Sequence, residues 1–530
     1  MSKRFYLTTA IDYVNGQPHL GHAYEKIVTD VIARAHRALG EQVFFLTGLD
    51  EHGQKVQLAA AAQGKTPEVY CDELAAIWKA FVEKLGLSND DFVRTTQERH
   101  KKVVQAILSK LYAEGHFYKA TYTGFYSTKE ETFLTEKDRL PDGTFDPSYG
   151  EVVELKEDNY YFKLKEHQKW LIDYIEANPH FIAPDSRRNE VLGFLKNNDL
   201  EDLCISRPAA RLSWGIPLPF DPAFVTYVWF DALVNYFSVA ASQGDPGIKG
   251  ELAAGNDGVE LWPADIHHIG KDIVKFHSVY WPIMLKAMGQ PLPKQILVHG
   301  WWQKDGQKMS KSTGNVVDPI AVINEWGLDA FRYYLIRELA IGPDGNWTDS
   351  GFQSRYGAEL ANGLGNLLNR SLNMLKRYRA GVVPHGVNQL ASDTTACREK
   401  VLQAYKNNDP QEALVQIGNL ITKANQFIDQ TAPFKLAKDP QRATDLDNIL
   451  YSLVEVCRVL GLLLWPVIPA TAEKIQAQLG YATPSITFDK LDDAIREGHK
   501  IGEIFALFPR KDQPPAAGEA TASPKKGKKK

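Results

Sequence analysis

A strand–turn–helix pattern near the start of the chain constrains its fold most strongly. β-prone residues at 5–9 are followed by a turn at 15–18, and apolar residues then recur at helical spacing over 23–39. Strand-like and helical runs keep alternating as far as about residue 115, with a second strand-like run at 43–49 and a helix start at Thr66-Pro67. Strand-like runs return at 225–230, 266–269 and 295–298. This alternation predicts an α/β fold with a doubly wound parallel sheet.

The turn leads into two histidines, His19 and His22, which enclose Gly21 in the pattern His-x-Gly-His. Between a strand and a helix, these residues meet free backbone N–H groups and the positive end of the helix, which attract anions. Both imidazoles can donate to phosphoryl oxygens, and a glycine lets a flat base lie close to the backbone. The segment therefore predicts a site for a nucleotide polyphosphate.

A second cationic segment, Lys308-Met309-Ser310-Lys311-Ser312, lies far downstream between Gly306 and Gly314. Taken alone, it is more simply explained as a solvated surface turn. Together with the histidine segment, it predicts a mobile arm whose lysines contact the same phosphates.

These two segments, in this order, resemble the signatures of the class I aminoacyl-tRNA synthetases, and further segments narrow the resemblance to the methionyl-tRNA synthetase family. Those segments are Thr8-Thr9-Ala10-Ile11-Asp12-Tyr13-Val14-Asn15-Gly16, Gly48-Leu49-Asp50-Glu51-His52-Gly53, Trp214-Gly215-Ile216-Pro217, Val228-Trp229-Phe230-Asp231-Ala232 and Gly270-Lys271-Asp272-Ile273 with His277. The resemblance extends from about residue 4 to about residue 480. It implies a methionine–tRNA ligase that forms methionyl-adenylate from L-methionine and ATP and then charges the 3'-terminal adenosine of tRNA(Met).

The resemblance also implies a division of the chain. We expect a Rossmann-type catalytic domain in two halves, split by an inserted connective domain, and then an α-helical bundle that binds the anticodon. The expected boundaries are 1–115 and 225–294 for the two halves, 116–224 for a connective insertion without zinc, 295–350 for the KMSKS loop and stem-contact region, 351–512 for the helical domain, and 513–530 for a disordered lysine-rich tail.

The methionine carboxylate is already ionised when it attacks ATP, so the reaction needs aligned cations and donors but no general base. His19, His22, Lys308 and Lys311 suit this catalytic role, with Mg²⁺ bridging phosphate oxygens and needing few protein ligands. The resemblance places ATP against His19, Gly21, His22, Gly270, Asp272, Lys308, Met309, Ser310, Lys311 and Ser312.

For the methionine site, the resemblance implies Ile11, Tyr13, Asp50, Trp229, Ala232, Tyr236 and His277, with Asp50 receiving the ammonium group. Aromatic walls suit a thioether, because sulfur packs well against rings. On the residues alone, a structural role in core packing would be the preferred interpretation of Trp229, Tyr236 and His277. Arg207 is expected near the insertion.

For tRNA, the resemblance points to Asn366, Asn369, Arg370 and Phe434 at the anticodon. Asn and Arg can read base edges, and an aromatic ring can stack on an unpaired base. The family usually has Trp where this chain has Phe434, so stacking is expected with a smaller ring. Ordinary helix capping and packing is the alternative for all four residues.

Composition sets limits on partners and metals. Lys and Arg total 61 against 65 Asp and Glu, a net charge of −4, so tRNA contact must use local basic patches. The four cysteines have no CxxC pair, and Ser127-Thr128-Lys129-Glu130 stands where many relatives have paired cysteines, so no zinc is predicted and no residue is expected to be a metal ligand.

The termini and the most apolar stretch give further expectations. We see no apolar signal near residue 1, and the apolar run at 459–468 is interrupted by Pro466, so we expect a cytoplasmic protein without a membrane partner. The chain stops soon after the helical region, without the appended dimerising domain of some relatives, so a monomer is expected. The lysines of the tail either are merely solvated or help to hold RNA.

Three alternatives remain. A class I synthetase for another amino acid would differ in its aromatic pocket, and the amino-acid dependence of ATP–pyrophosphate exchange would reveal it. A simple nucleotidylyltransferase also uses His-x-Gly-His but would not need the long helical region. A non-catalytic tRNA-binding relative is disfavoured by the intact histidines and lysines.

Overall fold

The computed structural model describes residues 3–14, 16–127, 132–134, 136–242, 261–309, 314–482 and 486–509. The first part of the chain alternates strands with helices, as the sequence predicts. Its elements are β1 (Arg4–Thr9), β2 (Asp12–Tyr13), α1 (Leu20–Ala38), β3 (Gln42–Asp50), α2 (Gln54–Ala62), α3 (Pro67–Lys84), β4 (Asp91–Arg94) and α4 (Glu98–Ala113). Helix α3 begins as predicted, because the Thr66 hydroxyl caps the N–H of Val69 and Pro67 follows at the first helical position.

The next part has mostly short strands, with a long antiparallel hairpin of β5 and β7 at its centre. Its elements are β5 (Phe117–Ser127), β6 (Thr132–Leu134), β7 (Val152–Phe162), α5 (Gln168–Ala177), β8 (Ile182–Ala183), α6 (Asp185–Asn197), β9 (Leu203–Cys204), β10 (Ser206–Pro208), β11 (Pro217–Leu218) and β12 (Asp221–Thr226).

Alternation then resumes and gives way to helices. These elements are α7 (Val228–Ser242), β13 (Ile266–Gly270), α8 (Trp281–Met288), β14 (Gln295–His299), β15 (Trp302–Lys304), β16 (Gln307–Lys308), α9 (Pro319–Trp326), α10 (Leu328–Glu338), β17 (Gly345–Trp347), α11 (Asp349–Arg355), α12 (Asn366–Arg379), α13 (Ala391–Lys406), α14 (Pro410–Thr431), α15 (Pro433–Leu436), α16 (Ala443–Leu463) and α17 (Pro469–Gln478). The long helices α12, α14 and α16 confirm the predicted helical region.

Seven of the described strands form one parallel sheet in the order β2-β3-β1-β13-β14-β8, and β4 also pairs with β3. Strand order reverses between β1 and β13. In a doubly wound sheet, ligands bind in the crevice at the carboxyl ends of the strands at such a reversal. The predicted α/β fold is confirmed, and its topology points to one edge of the sheet.

Side chains of β1 alternate between the two faces of the sheet. Phe5 and Leu7 join a core that includes α1, α3 and the C-terminal helices, whereas Tyr6 joins a second core with α4, α7 and α8. Because successive residues of a strand point to opposite faces, one short strand ties both layers together. The helical region thus shares a continuous core with one face of the sheet.

A buried ion pair fastens α10 to that face. The guanidinium of Arg332 donates from Nη2 to Asp30 Oδ2 at 2.7 Å, and neither side chain is exposed. Further donor groups of Arg332 contact the carbonyl oxygens of Leu85, Pro466 and Val467. Since the charge of Arg332 is both paired and hydrogen-bonded, it can be buried at this junction.

Two local predictions are wrong. Residues 225–230 were predicted as a strand of the main sheet, but β12 ends at Thr226 in a separate antiparallel sheet and α7 begins at Val228. Local apolar character cannot distinguish a buried helix from a buried strand. Helix α1 begins at Leu20 rather than residue 23, because His19 caps it.

The main sheet also takes strands from outside its two predicted halves. β8 lies within the predicted insertion at 116–224, and β14 lies beyond the predicted boundary at 294. The domain boundaries stay a prediction.

Candidate active site

A cavity of about 1060 Å³ opens at the sheet edge where strand order reverses. It brings together most of the residues predicted for ATP and methionine. Those on its wall are Ile11, Tyr13, His19, Gly21, His22, Asp50, Trp229, Ala232, Tyr236, Gly270, Asp272, His277, Lys308 and Met309. Ser310, Lys311 and Ser312 lie outside the described residues, so their predicted contacts with ATP stay predictions.

The two histidines form the first turn of α1. The backbone N–H of Gly21 donates to His19 Nδ1 at 3.1 Å, and the backbone N–H of His19 donates to His22 Nδ1 at 3.2 Å. The two rings stack with centroids 3.7 Å apart. Because each Nδ1 accepts a backbone hydrogen bond, each neutral imidazole carries its proton on Nε2. Both residues therefore have a fixed ring orientation.

Gly21 is required by the same turn. A Cβ built at Gly21 would lie 3.1 Å from Cε1 of His19, tighter than ordinary contact, and would push against the ring that caps the helix. Glycine at this position therefore preserves the His19 cap and the stacked pair.

One face of α7 forms part of the cavity wall. Trp229, Ala232 and Tyr236 follow one another at spacings of three and four, so they project from the same side of the helix. Trp229 stacks on Phe276 with ring centroids 3.7 Å apart. This wall is aromatic and apolar, as a thioether side chain requires.

A hydrogen-bonded pair lies at the end of this wall. The Tyr236 hydroxyl lies 2.7 Å from His277 Nε2, and His277 Nδ1 lies 3.0 Å from the Ile273 carbonyl oxygen. The carbonyl can only accept, so Nδ1 carries the proton and the tyrosine donates to Nε2. Burial lowers the pKa of His277 to about 4, so the ring is neutral at pH 7. The Tyr236–His277 pair therefore carries no net charge.

Acidic and basic side chains occupy the remaining walls. Asp50 ends β3 and is buried in the cavity wall near Lys55. On the opposite side, the indole N–H of Trp301 donates to Asp272 Oδ1 at 3.2 Å, and Lys308 Nζ lies 5.2 Å from the Trp301 ring. Trp301 therefore connects the residues after β13 to the lysine segment.

Several cavity residues were missed by the sequence analysis. Glu25 pairs with His299 at 3.1 Å, and Asp12 forms an ion pair with the buried Lys26 at 2.5 Å. Glu25 and Lys26 follow His22 by three and four positions on α1, and this helical spacing could have revealed them. His299 had no local signal, because it reaches the cavity only through the pairing of β14 with β13.

The predicted tRNA residues lie away from the cavity on the C-terminal helices. Arg370 pairs with Asp429 at 2.7 Å, Asn366 contacts Asn425 at 3.4 Å, and Asn369 accepts from the Asn373 amide at 3.2 Å. The Phe434 side chain is 48% exposed on α15. Three of these residues share α12.

Arg207 also lies outside the cavity wall. It is buried on β10, with Nη1 3.2 Å from Cys204 Sγ and its guanidinium 4.6 Å from the Tyr227 ring centroid.

Among the described residues, one group could offer three ligand atoms to a metal ion: His116, Glu166 and His167. It contributes nothing to the cavity wall. Burial lowers the pKa of His167, Glu166 raises it, and Lys286 lowers it. Since the group lies apart from the cavity, we assign no metal to it.

The comparisons with known proteins agree with this geometry. A model of the family "tRNA synthetases class I (M)" matches residues 5–145 and 146–372. The chain belongs to the methionyl-tRNA synthetase family. It is 43% identical to a methionine–tRNA ligase of Clostridium acetobutylicum, over 96% of this chain and 78% of that protein. Its identity to a methionine–tRNA ligase of Rickettsia felis is 41%, over 96% of this chain and 99% of that protein.

The fold of the methionyl-tRNA synthetase family extends over nearly the whole chain. The Mycobacterium tuberculosis methionyl-tRNA synthetase, solved in complex with methionyl-adenylate, matches with a TM-score of 0.88 and 37% identity, covering 96% of this chain and all of that chain. The predicted family is thereby confirmed, and with it the ligation of methionine to tRNA at the expense of ATP. No helix in the described part of the chain is long and apolar enough to cross a membrane.

Proposed function

We propose that the cavity at the carboxyl ends of β1 and β13 is where this methionine–tRNA ligase makes methionyl-adenylate. One observation carries the proposal: the neutral aromatic wall around Tyr236 and the histidine turn of α1 line the same cavity as Lys308. The thioether would lie along α7, with its ammonium group at Asp50. The triphosphate would lie between His19, His22 and the lysine segment.

In the first step, a carboxylate oxygen of methionine bonds to the α-phosphorus of ATP while the bond from that phosphorus to the bridging oxygen breaks. Pyrophosphate leaves with the bond electrons, and no proton moves. Charge accumulates on phosphate oxygens, so donors held in place before the reaction lower the barrier. The Nε2–H groups of His19 and His22 and the ammonium groups of Lys308 and Lys311 would supply this stabilisation. Mg²⁺ would enter with ATP, bound mainly by phosphates and water.

In the second step, a ribose hydroxyl at the tRNA end attacks the methionyl carbonyl carbon, the bond from that carbon to the phosphate oxygen breaks, and AMP leaves.

We propose that the anticodon binds at the exposed Phe434 and the α12 residues Asn366, Asn369 and Arg370. An exposed aromatic ring beside amide and guanidinium groups fits recognition of unpaired bases. Arg370 would break its ion pair with Asp429 to bind RNA, since a surface ion pair of this kind is weak.

We propose that the insertion folds without zinc: the four cysteines are buried, and Cys204 packs against Arg207. The positions 128–130, where relatives place cysteines, lie outside the described residues, as does the tail at 513–530. Metal analysis of the purified protein should find no stoichiometric zinc.

We further propose a monomer acting in the cytoplasm, where its substrate tRNA is used. Gel filtration should give a mass near 59.5 kDa rather than twice that value.

The decisive test of function is ATP–pyrophosphate exchange with each of the twenty amino acids, followed by charging of tRNA. Methionine alone should support rapid exchange, and tRNA(Met) should accept it. Exchange driven by another amino acid would reassign the substrate, and exchange without charging would separate the chain from tRNA ligases.

A further inference from the structure

A buried ion pair lies directly behind the histidine turn. Asp12 of β2 and Lys26 of α1 meet with Oδ2 and Nζ 2.5 Å apart, and their side chains are 6% and 0% exposed. Asp12 lines the cavity, whereas Lys26 is outside its wall. Lys26 therefore cannot touch a nucleotide in this arrangement, and its effect on the cavity must pass through Asp12.

The other oxygen of Asp12 faces the catalytic turn. Asp12 Oδ1 lies 3.9 Å from Nε2 of His22. Since His22 Nδ1 accepts the His19 backbone N–H, the nitrogen near Asp12 is the one that carries the imidazole proton. The carboxylate thus stands between a fixed ammonium group and the N–H that is proposed to reach the phosphates.

A carboxylate in this position presents an electrostatic problem. It lies in the wall of a cavity proposed to bind a triphosphate, and like charges repel strongly in a partly buried site. Two other carboxylates of the wall have cationic or imidazole neighbours: Glu25 faces His299, and Asp344 faces Lys271 at 2.8 Å. Lys26 is the corresponding counter-charge for Asp12.

We propose that Lys26 is a positioning residue for ATP: it cancels the charge of Asp12, so that Asp12 can orient the His22 N–H without repelling the triphosphate. This inference rests on the proposed function. It explains how an acidic residue can lie beside the histidine turn without repelling the bound triphosphate. Removal of the lysine should then weaken ATP binding, whereas removal of the aspartate should not.

The Asp12–Lys26 pair also predicts how ATP binding should depend on pH when the lysine is removed. Burial raises the pKa of Asp12 to about 6, while Lys26 lowers it and Glu25 raises it. The other groups that bear on Asp12 are His22 on α1 and Tyr236 on α7. Without Lys26, the Asp12 pKa rises further, because an opposing positive charge is lost. Asp12 then ionises across the neutral range, and its repulsion of ATP grows as pH rises.

The test is methionine-dependent ATP–pyrophosphate exchange from pH 6 to 9, with KM for ATP and methionine measured separately. Lys26→Met keeps an unbranched side chain and removes its charge. We expect its KM for ATP to rise by about tenfold at pH 8 and to approach the unmodified value toward pH 6, with KM for methionine unchanged. In Asp12→Asn with Lys26→Met, the pH-dependent rise should disappear.

Asp12→Asn alone removes the negative charge and leaves the lysine in place. This variant tests the inference even if Lys26→Met does not fold. We expect kcat to fall, because His22 loses its orienting anion, while KM for ATP stays the same or decreases. Lys110→Met is the matched control, since it removes a surface lysine paired with Glu114. Its KM for ATP should equal the unmodified value at every pH.

Three results would overturn the inference while leaving the function intact: an unchanged KM for ATP in Lys26→Met, a double variant no better than Lys26→Met, or unchanged kcat in Asp12→Asn. A lack of methionine-dependent exchange by the unmodified enzyme would instead overturn the proposed function.

Discussion

Tyr236 and His277 meet with the tyrosine hydroxyl 2.7 Å from Nε2 of the histidine, inside the cavity and almost fully buried. The Ile273 carbonyl fixes the histidine tautomer with the proton on Nδ1, so the tyrosine hydroxyl must donate its proton to Nε2. Burial keeps the histidine uncharged and raises the pKa of the tyrosine well above its ordinary value. We therefore expect this rigid, neutral, polar end of the aromatic wall to favour an uncharged substrate side chain of limited length.

Tyr236→Phe should weaken methionine binding and leave ATP binding intact. The change removes one hydroxyl and leaves Nε2 of His277 buried without its donor, a loss of about 1 to 3 kcal/mol. We expect KM for methionine to rise by about tenfold or more, measured by ATP–pyrophosphate exchange. Tyr112→Phe, on the exposed side of α4, is the control. Equal increases in both substrates' KM would argue for a general structural role instead.

Asp30→Asn should destabilise the junction between α1 and α10. Burial would raise the pKa of Asp30, but the guanidinium groups of Arg332 and Arg34 outweigh it and lower this pKa to about 2. Loss of the partner leaves Arg332 buried and uncompensated, which costs about 3 to 5 kcal/mol. Thermal unfolding should show a clearly lower midpoint at pH 7.

The pH dependence of that difference has a defined sign. A depressed carboxyl pKa stabilises the fold above the unfolded value of about 4 and loses this contribution as pH falls toward 2. The gap in midpoint between the unmodified enzyme and Asp30→Asn should therefore narrow between pH 4 and pH 2. Asp445→Asn, at a surface pair with Arg442, should change little at any pH. A gap that stayed constant would contradict the linkage.

The sequence predicted best those residues whose roles are local. His19, Gly21 and His22 act within one turn of α1, so their spacing already described their geometry. Trp229 belonged to a recognisable segment, but the run at 225–230 was predicted as a strand, whereas Trp229 lies on helix α7. Tertiary packing, not the local apolar pattern, makes this segment a helix.

Relationships across long sequence separations could not be predicted. Arg332 meets Asp30 only because α10 packs on α1, and His299 meets Glu25 only because β14 lies beside β13. In each pair, the two partners are far apart in the sequence and follow no recurring spacing, so the sequence pattern could not reveal the contact. Asp12 and Lys26 are an intermediate case. They are close in sequence, but the turn at 15–18 and the His-x-Gly-His segment lie between them.

Phe434→Ala should impair tRNA charging and spare adenylate formation. Stacking of a base on an aromatic ring contributes about 1 to 3 kcal/mol, so KM for tRNA(Met) should rise by about ten- to a hundredfold. ATP–pyrophosphate exchange should be unchanged, because Phe434 lies outside the cavity. Phe505→Ala, another exposed phenylalanine, is the control at 41% exposure against 48%. Equal charging by both variants would remove Phe434 from the tRNA site.

The central claim is that the histidine turn and the lysine segment act on one triphosphate. The most direct measurement is the rate of methionine-dependent ATP–pyrophosphate exchange in His22→Ala and Lys308→Ala, with methionine binding measured in parallel. Each variant should lose about a hundredfold in kcat, because one fixed donor to the reacting phosphates is missing, and should bind methionine normally. Exchange at the unmodified rate in either variant would contradict the account.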